Sequence, residues 1–275
     1  MFWVVQQNLY NEYGYTALMD CIIRAGIPHA VVKPVAIINK LVPADFDSFS
    51  FKGYIEDAPE PYIDESGLVM VCGAVTMSKV AQKRNWVPGS FINENFDFEV
   101  WRQHYGEHLL NYDSQVCRFA DLPKVSGEFF MRPCEDSKAF AGFVTTWDYY
   151  DMWRADVLRV NDDMQTLNGS TMITFASVKN ILREYRFFVV DGKIVTGSLY
   201  KLGDRVTYMS DIDPDVLAYA QSRVDQWQPA RAFVIDIALL EGGEKKVIEI
   251  NNFNSAGFYA SDVSKIVGAI EDMKF

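Results

Sequence analysis

Hydrophobic positions in the first third of the chain switch between the strand period and the helix period. Between Tyr15 and Ile23, apolar side chains recur three and four residues apart, which is typical of one buried helical face. Strands are predicted at Phe2–Gln6, His29–Val35 and Leu68–Cys72, and further helices around Met77–Lys83 and from Phe98 to near Asn111. This alternation predicts an α/β layer with a parallel sheet. Residues 42–66, rich in Pro, Asp and Ser, are expected to form a long loop.

From about residue 116 the pattern changes to pairs of strands joined by glycine turns. Strands are predicted at Glu128–Arg132, Met172–Ala176, Arg183–Val190, Lys193–Lys201, Ala232–Leu240 and Lys245–Ile250. Two helices are predicted, with apolar faces formed by Leu217, Ala220 and Val224 after the Asp213-Pro214 cap and by Val263, Ile266, Val267 and Ile270. We therefore predict an N-terminal α/β domain over residues 1–115 and an α+β domain over residues 116–275.

Composition and charge narrow the partners that this chain is expected to bind. Its 275 residues carry a net charge of -11, which repels phosphate backbones, so no nucleic-acid partner is expected. No apolar run reaches the roughly 20 residues that a membrane span requires, so no membrane partner is expected. The four cysteines show no C-x-x-C spacing, which disfavours a zinc site. These features predict a cytoplasmic protein with reduced thiols.

The last predicted hairpin places acidic residues inside otherwise apolar strands. If Gly242-Gly243 is a two-residue turn, Asp236 lies directly opposite Glu249, with β-carbons about 4.5–5.5 Å apart. Asn251 shares the face of Glu249 because strand side chains alternate. Carboxylates this close repel unless a cation lies between them, and magnesium prefers carboxylate and amide oxygens. The sequence thus predicts a metal site, and the alternative is the solvated face of a half-exposed hairpin.

With an acidic residue followed by Glu249-Ile250-Asn251, the chain resembles the ATP-grasp superfamily, whose last core strands hold one or two magnesium ions with such residues. The strand that ends at Arg132-Pro133 is similar to the family strand whose terminal lysine contacts nucleotide phosphates. The segment Cys134–Gly142, containing Lys138, stands where the family has a mobile loop over the phosphates. The resemblance covers residues 116–275 and is strongest to a clade found largely in bacteriophages.

The same resemblance implies further roles and a division of the C-terminal part. It implies a nucleotide-clasping subdomain at about 125–205, a metal-site subdomain at about 206–275 and an N-terminal α/β pre-ATP-grasp domain. The segment Met172–Ala176 is similar to the hinge strand that binds adenine through its backbone, and Arg186, predicted opposite Gly197, is expected to hold phosphate. The implied nucleotide-binding residues are Arg132, Lys138, Ile173, Thr174, Phe175, Glu184, Arg186, Lys201 and Asn254, with Arg186 and Lys138 as catalytic residues.

By this resemblance, the chain is expected to be an ATP- and magnesium-dependent ligase. It would activate a carboxylate as an acyl phosphate for attack by an amine, releasing ADP. The alternatives are an ATP-grasp phosphotransferase and a nucleotide-binding interaction module without catalysis. The acceptor is a small molecule, a peptide or a protein, in the host cytoplasm if the protein is phage-encoded. Each cation taken alone is also compatible with an ordinary surface charge, and Asn254, Ser255 and Tyr259 with a turn into the last helix.

Overall fold

The computed structural model describes residues 1–7, 13–35, 40–47, 49–91, 97–135, 139–160 and 166–275. The helices are α1 (Tyr15–Arg24), α2 (Val75–Lys83), α3 (Phe98–Tyr105), α4 (Trp147–Val160), α5 (Pro214–Gln226) and α6 (Val263–Glu271). The first strands are β1 (Phe2–Gln6), β2 (His29–Val35), β3 (Lys40–Pro43), β4 (Val69–Cys72), β5 (Pro88–Gly89), β6 (Gln115–Arg118) and β7 (Glu128–Pro133). The remaining strands are β8 (Phe143–Thr146), β9 (Met172–Ser177), β10 (Ile181–Val190), β11 (Lys193–Leu202), β12 (Arg205–Met209), β13 (Ala232–Leu240) and β14 (Lys245–Asn251). Within these ranges, no helix is long and apolar enough to span a membrane.

The described chain forms two compact units. The first contains residues 1–93, 183–236 and 250–275, and the second contains residues 94–182 and 237–249. These units describe compactness, and the predicted domain boundary near residue 115 stays a prediction. Each unit has its own sheet structure and its own hydrophobic core.

The first unit contains the predicted parallel sheet, with strand order β3-β2-β1-β4-β5. Strand β1 is buried along its whole length because both of its faces are covered. Its Trp3 and Val5 pack in one core with helices α1 and α6, whereas Phe2 and Val4 pack in a second core with helix α2. Strand β3 pairs antiparallel at the edge, within the segment expected to be a loop.

A second five-stranded sheet has the order β12-β11-β10-β13-β14. Strands β10 and β11 form the predicted hairpin, and its turn residues Asp191 and Gly192 have φ values of 45° and 78°. Arg186 lies opposite Ser198, so its predicted position opposite Gly197 is wrong. A β-bulge between Phe188 and Val189 shifts the register by one residue from there onward.

The glycine at 197 serves the packing of the fold and provides no room for a bound group beside Arg186. Gly197 is paired with Phe187, and a β-carbon on the glycine would lie 2.5 Å from Phe187 Cδ1. The same β-carbon would lie 2.6 Å from the backbone oxygen of Arg186. The space at this position is therefore already filled by the neighbouring strand.

The second unit contains an antiparallel sheet with the order β6-β9-β7-β8. Aromatic residues of helix α4 pack on it, and Tyr150 is fully buried against Phe119 and Phe129. Neither α4 nor the short strands β6 and β8 was predicted, because the aromatic-rich α4 carries polar residues on a wide face. Helix α3 ends at Tyr105, earlier than predicted, where Gly106 has a φ of 52°.

Candidate active site

A buried ion pair in the first unit joins two of the predicted site residues. Arg186 on β10 donates from Nε to Asp236 Oδ1 at 2.9 Å and from Nη2 to Oδ2 at 2.7 Å. Asp236 on β13 is 0% exposed and Arg186 is 8% exposed. This two-point geometry is the strongest that arginine and a carboxylate form, and burial removes the water that would screen it.

The electrostatics of this pair keep the arginine charged in spite of its burial. Burial by itself disfavours the guanidinium charge, but the adjacent Asp236 carboxylate and its hydrogen bonds outweigh burial and raise the pKa of Arg186. Burial and then the Asp236 and Glu184 carboxylates raise the pKa of the neighbouring Tyr200 well above its usual range, against the opposing effect of Arg186. The site therefore holds a fixed cation beside neutral phenols.

Asn251, at the end of β14, also contacts Asp236. Its Nδ2 donates to Asp236 Oδ2 at 3.3 Å, so two of the three predicted metal ligands lie together in the first unit. Glu249 belongs to the second unit. Gly242 and Gly243 have the expected positive φ values, 97° and 89°. However, the connection between the strands contains four residues, 241–244, so the opposition of Asp236 and Glu249, which assumed a two-residue turn, stays a prediction.

Two further predicted residues, Glu184 and Lys201, form a polar group on the Arg186 hairpin. Lys201 Nζ lies 2.7 Å from Glu184 Oε1, and Tyr200 Oη donates to Glu184 Oε2 at 2.8 Å. Consecutive strand residues normally point to opposite faces. Here a second bulge, between Glu184 and Tyr185, lets both Tyr200 and Lys201 reach the same carboxylate. Glu184 and Lys201 are thus paired with each other, and nucleotide binding by either stays a prediction.

In the second unit, Arg132 at the end of β7 forms the other ion pair of predicted site residues. Its Nη1 donates to Glu249 Oε2 at 2.9 Å, and its guanidinium lies 5.1 Å from the centre of the Trp101 ring. The side chains of Arg132 and Glu249 are 14% and 28% exposed. This pair is therefore more accessible to solvent and ligands than the Arg186 pair.

The predicted hinge strand lies inside the sheet of the second unit. Strand β9 pairs with β6 on one side and with β7 on the other, over all of Ile173, Thr174 and Phe175. Their backbone groups are used in these two ladders, so the predicted adenine binding through the backbone of these three residues is wrong. The chain leaves the sheet after Ser177, and residues 178–180 form the nearest segment outside a strand.

The side chain of Thr174 differs from its backbone in this respect. Thr174 lies directly opposite Arg132, so the two side chains share a face of the sheet. Its Oγ1 is buried and has no hydrogen-bond partner within the described part of the chain. A buried hydroxyl without a partner costs about 1–3 kcal/mol, which makes this position the one hinge-strand candidate with unused hydrogen-bonding capacity.

Asn254 is placed inside the fold of the first unit, and Lys138 lies outside the described residues. The Asn254 Oδ1 accepts from the Phe91 backbone N–H at 2.8 Å, and its Nδ2 donates to the Gly89 oxygen at 3.3 Å. The Asn254 backbone oxygen accepts from Gly73 N–H at 2.9 Å. This amide joins strand ends of the parallel sheet, and a nucleotide contact from it stays a prediction.

Sequence reasoning missed the tyrosines around Arg186. The guanidinium carbon of Arg186 lies 4.8 Å from the Tyr259 ring centre and 5.5 Å from that of Tyr200. The sequence pointed to Tyr259 only as a phosphate or acceptor contact, and it pointed to no role for Tyr200. The available signal was the recurrence of tyrosine at 200, 208 and 259, but only the fold brings these positions together.

The comparisons with known proteins agree with this arrangement of elements. No curated protein is detectably similar to the chain in sequence. The solved structure of D-cycloserine synthetase DcsG has a TM-score of 0.58 and 12% identity, with 98% of each chain covered. A RimK domain ATP-grasp protein from Sphaerobacter thermophilus DSM 20745 has a TM-score of 0.58 and 10% identity, covering 97% of this chain and 98% of that one. D-alanyl-alanine synthetase A from Vibrio cholerae O1 biovar eltor str. N16961 has a TM-score of 0.56 and 11% identity, covering 100% and 95%.

These structural likenesses show the fold, and they confirm the predicted mixed α/β architecture of the ATP-grasp type. In sequence, residues 62–270 match an ATP-grasp domain family, the third family of one clade within the superfamily. The match therefore includes the hairpin of Arg186, the strands of Asp236 and Asn251, and part of the predicted N-terminal domain. The chain belongs to this clade family and hence to the ATP-grasp superfamily.

Proposed function

We propose that this protein is an ATP-dependent ligase that activates a carboxylate as an acyl phosphate and passes the acyl group to an amine. The observation that carries the proposal is the buried two-point pair of Arg186 and Asp236, with Asn251 beside it, in an ATP-grasp chain. Two structural neighbours, D-cycloserine synthetase and D-alanyl-alanine synthetase A, are synthetases by name and support a ligase.

The donor set of the first unit fits magnesium. A carboxylate offers about four lone-pair positions, and Arg186 and Asn251 together use three of those on Asp236. Rotation of the Asn251 amide would present its oxygen in place of Nδ2, giving two hard oxygen donors. We propose Asp236, Asn251 and Glu249 as the ligands of the metal, which would offset the charge of the β- and γ-phosphates when bound.

The two arginines are each paired with a carboxylate of that proposed ligand set. Arg132 is paired with Glu249 in the second unit, and Arg186 is paired with Asp236 in the first. Without nucleotide, each cation is therefore neutralised by an acidic residue of the protein. When nucleotide and metal bind, phosphate oxygens can take the arginine N–H groups while the carboxylates take the metal. The charges stay compensated in both states, which limits the cost of burying them.

In the proposed reaction, these residues position and stabilise groups and form no covalent bond themselves. Arg186 holds the γ-phosphate while a substrate carboxylate oxygen attacks the phosphorus, and the bond to the ADP oxygen breaks. Arg132 holds phosphate oxygens of the departing ADP. The amine nitrogen then attacks the acyl carbon, the carbon–oxygen bond to phosphate breaks, and the amine loses a proton to solvent. Arg186 stabilises the phosphate as it leaves.

Trapping of the acyl phosphate tests this proposal. The protein is incubated with ATP, magnesium and the small-molecule fraction of a cell extract, with hydroxylamine added in place of the natural amine. A ligase gives ADP, phosphate and a hydroxamate, detected by mass spectrometry, and Glu249→Gln gives none of them. Arg231→Gln serves as the matched control, because Arg231 pairs with Asp191 at the surface and is expected to leave product formation unchanged.

The outcomes separate the ligase from the two alternatives. A stable phosphorylated product with no hydroxamate would identify a phosphotransferase. Binding of ATP with no ADP formed in any extract fraction would identify a nucleotide-binding module. Either result overturns the proposed ligase reaction.

A further inference from the structure

Four tyrosines of the first unit form a column of rings that reaches Arg186. Tyr200 and Tyr259 are stacked with ring centres 5.0 Å apart, and Tyr208 stacks on Tyr259 at 5.1 Å. Tyr13 continues the column at 4.8 Å from Tyr208. The interplanar angles of the two inner contacts are 22° and 15°, so these rings are nearly parallel. The inner end of the column is a cation, and its outer end is exposed to solvent.

Arg186 lies against the inner pair of rings, and it is not inserted between them. Its guanidinium carbon is 5.5 Å from the Tyr200 ring centre and 4.8 Å from that of Tyr259, while the two ring centres are 5.0 Å apart. Three similar distances define a triangle, so the two rings cover one flank of the guanidinium. Asp236 occupies the Nε and Nη2 edge. The Nη1 group, 3.5 Å from the Gly257 oxygen, has no short hydrogen bond within the described residues.

The fold holds both rings in place, and one of them at a conformational cost. Tyr200 is fixed by its hydrogen bond to Glu184 and by the bulge that turns it toward that carboxylate. Tyr259 has a φ of 49°, a left-handed conformation that is unusual for a bulky side chain. Strain of this kind persists only where the surrounding structure enforces it, and it is concentrated at functional sites. The position of the Tyr259 ring is therefore imposed by the structure around it.

We propose that Tyr259 and Tyr200 are positioning residues that orient Arg186 for the γ-phosphate, an inference that rests on the proposed function. The rings block rotation of the guanidinium on one flank, and Asp236 fixes two of its nitrogens. The Nη1 edge then remains directed at the phosphate, in the plane where arginine binds phosphate oxygens best. Contact with the ring faces also stabilises the cation while its carboxylate partner turns to the metal.

Nucleotide affinities test the proposal without knowledge of the natural substrate. Calorimetry gives the affinities of the magnesium complexes of ADP and of the non-hydrolysable ATP analogue adenylyl imidodiphosphate. The wild-type protein is expected to prefer the analogue, because only the analogue has a γ-phosphate. Tyr259→Gly removes the ring and accepts the positive φ without strain, and it is expected to lower this preference roughly three- to tenfold. Tyr259→Phe keeps the ring and is expected to keep the preference.

Two further variants separate positioning from general damage and from failure of the proposed function. Tyr208→Leu removes the ring stacked on the other side of Tyr259 and leaves both ring contacts of Arg186, so it is expected to keep the preference. Arg186→Gln is expected to abolish the preference. If it does and Tyr259→Gly retains the wild-type preference, or weakens both ligands equally, the positioning role is overturned. If Arg186→Gln retains the preference, the assigned role of Arg186 fails, and the positioning role with it.

Discussion

The buried pair of Arg186 and Asp236 makes a sharp prediction about stability. Asp236→Asn keeps the shape of the side chain and one acceptor oxygen but removes the charge that compensates a guanidinium only 8% exposed. Breaking a buried pair by removing one partner costs about 3–5 kcal/mol, because the other charge remains buried. The retained acceptor places Asp236→Asn near the lower end, at about 3 kcal/mol.

The protein provides a matched control for this substitution. Arg231 and Asp191 form a pair with the same two-point geometry, both distances being 2.7 Å, but their side chains are 43% and 45% exposed. Exposed pairs contribute about 0–1 kcal/mol. Asp191 also sits at a positive φ that asparagine accepts readily, so Asp191→Asn introduces no backbone strain. We expect this control to change stability by less than about 1 kcal/mol.

Urea denaturation followed by circular dichroism and by tryptophan fluorescence measures the difference. With an m-value of about 3 kcal/mol/M, Asp236→Asn should lower the midpoint by about 1 M, and Asp191→Asn should lower it by less than about 0.3 M. Replacing both partners, with Arg186→Met and Asp236→Leu together, should recover most of the lost stability because no charge is left buried. Equal destabilisation by the two single variants would refute the argument from burial.

Three further predictions follow from other residues. Glu249→Gln should reduce ADP formation roughly 100-fold if this carboxylate binds the metal, while thermal denaturation should show a stability loss of under about 1 kcal/mol, as for a partly exposed pair. Burial raises the pKa of the Cys72 thiol from 9.0 to about 12, so the unfolded thiol ionises first and stability should fall as pH rises through that window. Urea midpoints at about pH 8 and about pH 10.5 should therefore differ less for Cys72→Ala than for the wild type. Gly268→Ala, in a helix with open space around it, should raise stability by about 0.5–1 kcal/mol, whereas Gly197→Ala, whose new carbon would lie 2.5 Å from Phe187, should lower it by about 1–3 kcal/mol in the same titration.

Local patterns in the sequence were sufficient for most elements of the fold. Strands β2 and β13 have the predicted ends because apolar and polar residues delimit them directly. The Asp191-Gly192 turn was predictable because both residues tolerate positive φ. The α5 cap was also correct, although Val216 is buried where Leu217 was expected, a shift of one position on the helical face. Such features depend on residues within a few positions of one another.

The wrong predictions concern long-range pairing. Two bulges changed the register of the Arg186 hairpin, so that Ser198 stands opposite Arg186 and Tyr200 and Lys201 share one partner. A bulge depends on how a strand fits its neighbours, and its residues carry no distinctive composition. The interior position of β9 likewise depends on which strands pair with it, and that decided the fate of the predicted adenine contacts.

The order of charged and apolar residues along the chain was enough to indicate an ATP-grasp protein and to single out Arg132, Arg186, Asp236, Glu249 and Asn251. Only the tertiary structure decided which of these side chains meet. The Arg186 and Asp236 partners are 50 residues apart in sequence, and Arg132 and Glu249 are 117 apart. Side-chain periodicity determines the face on which a residue lies, but pairing across such separations depends on strand order, register and burial, which the whole chain determines together.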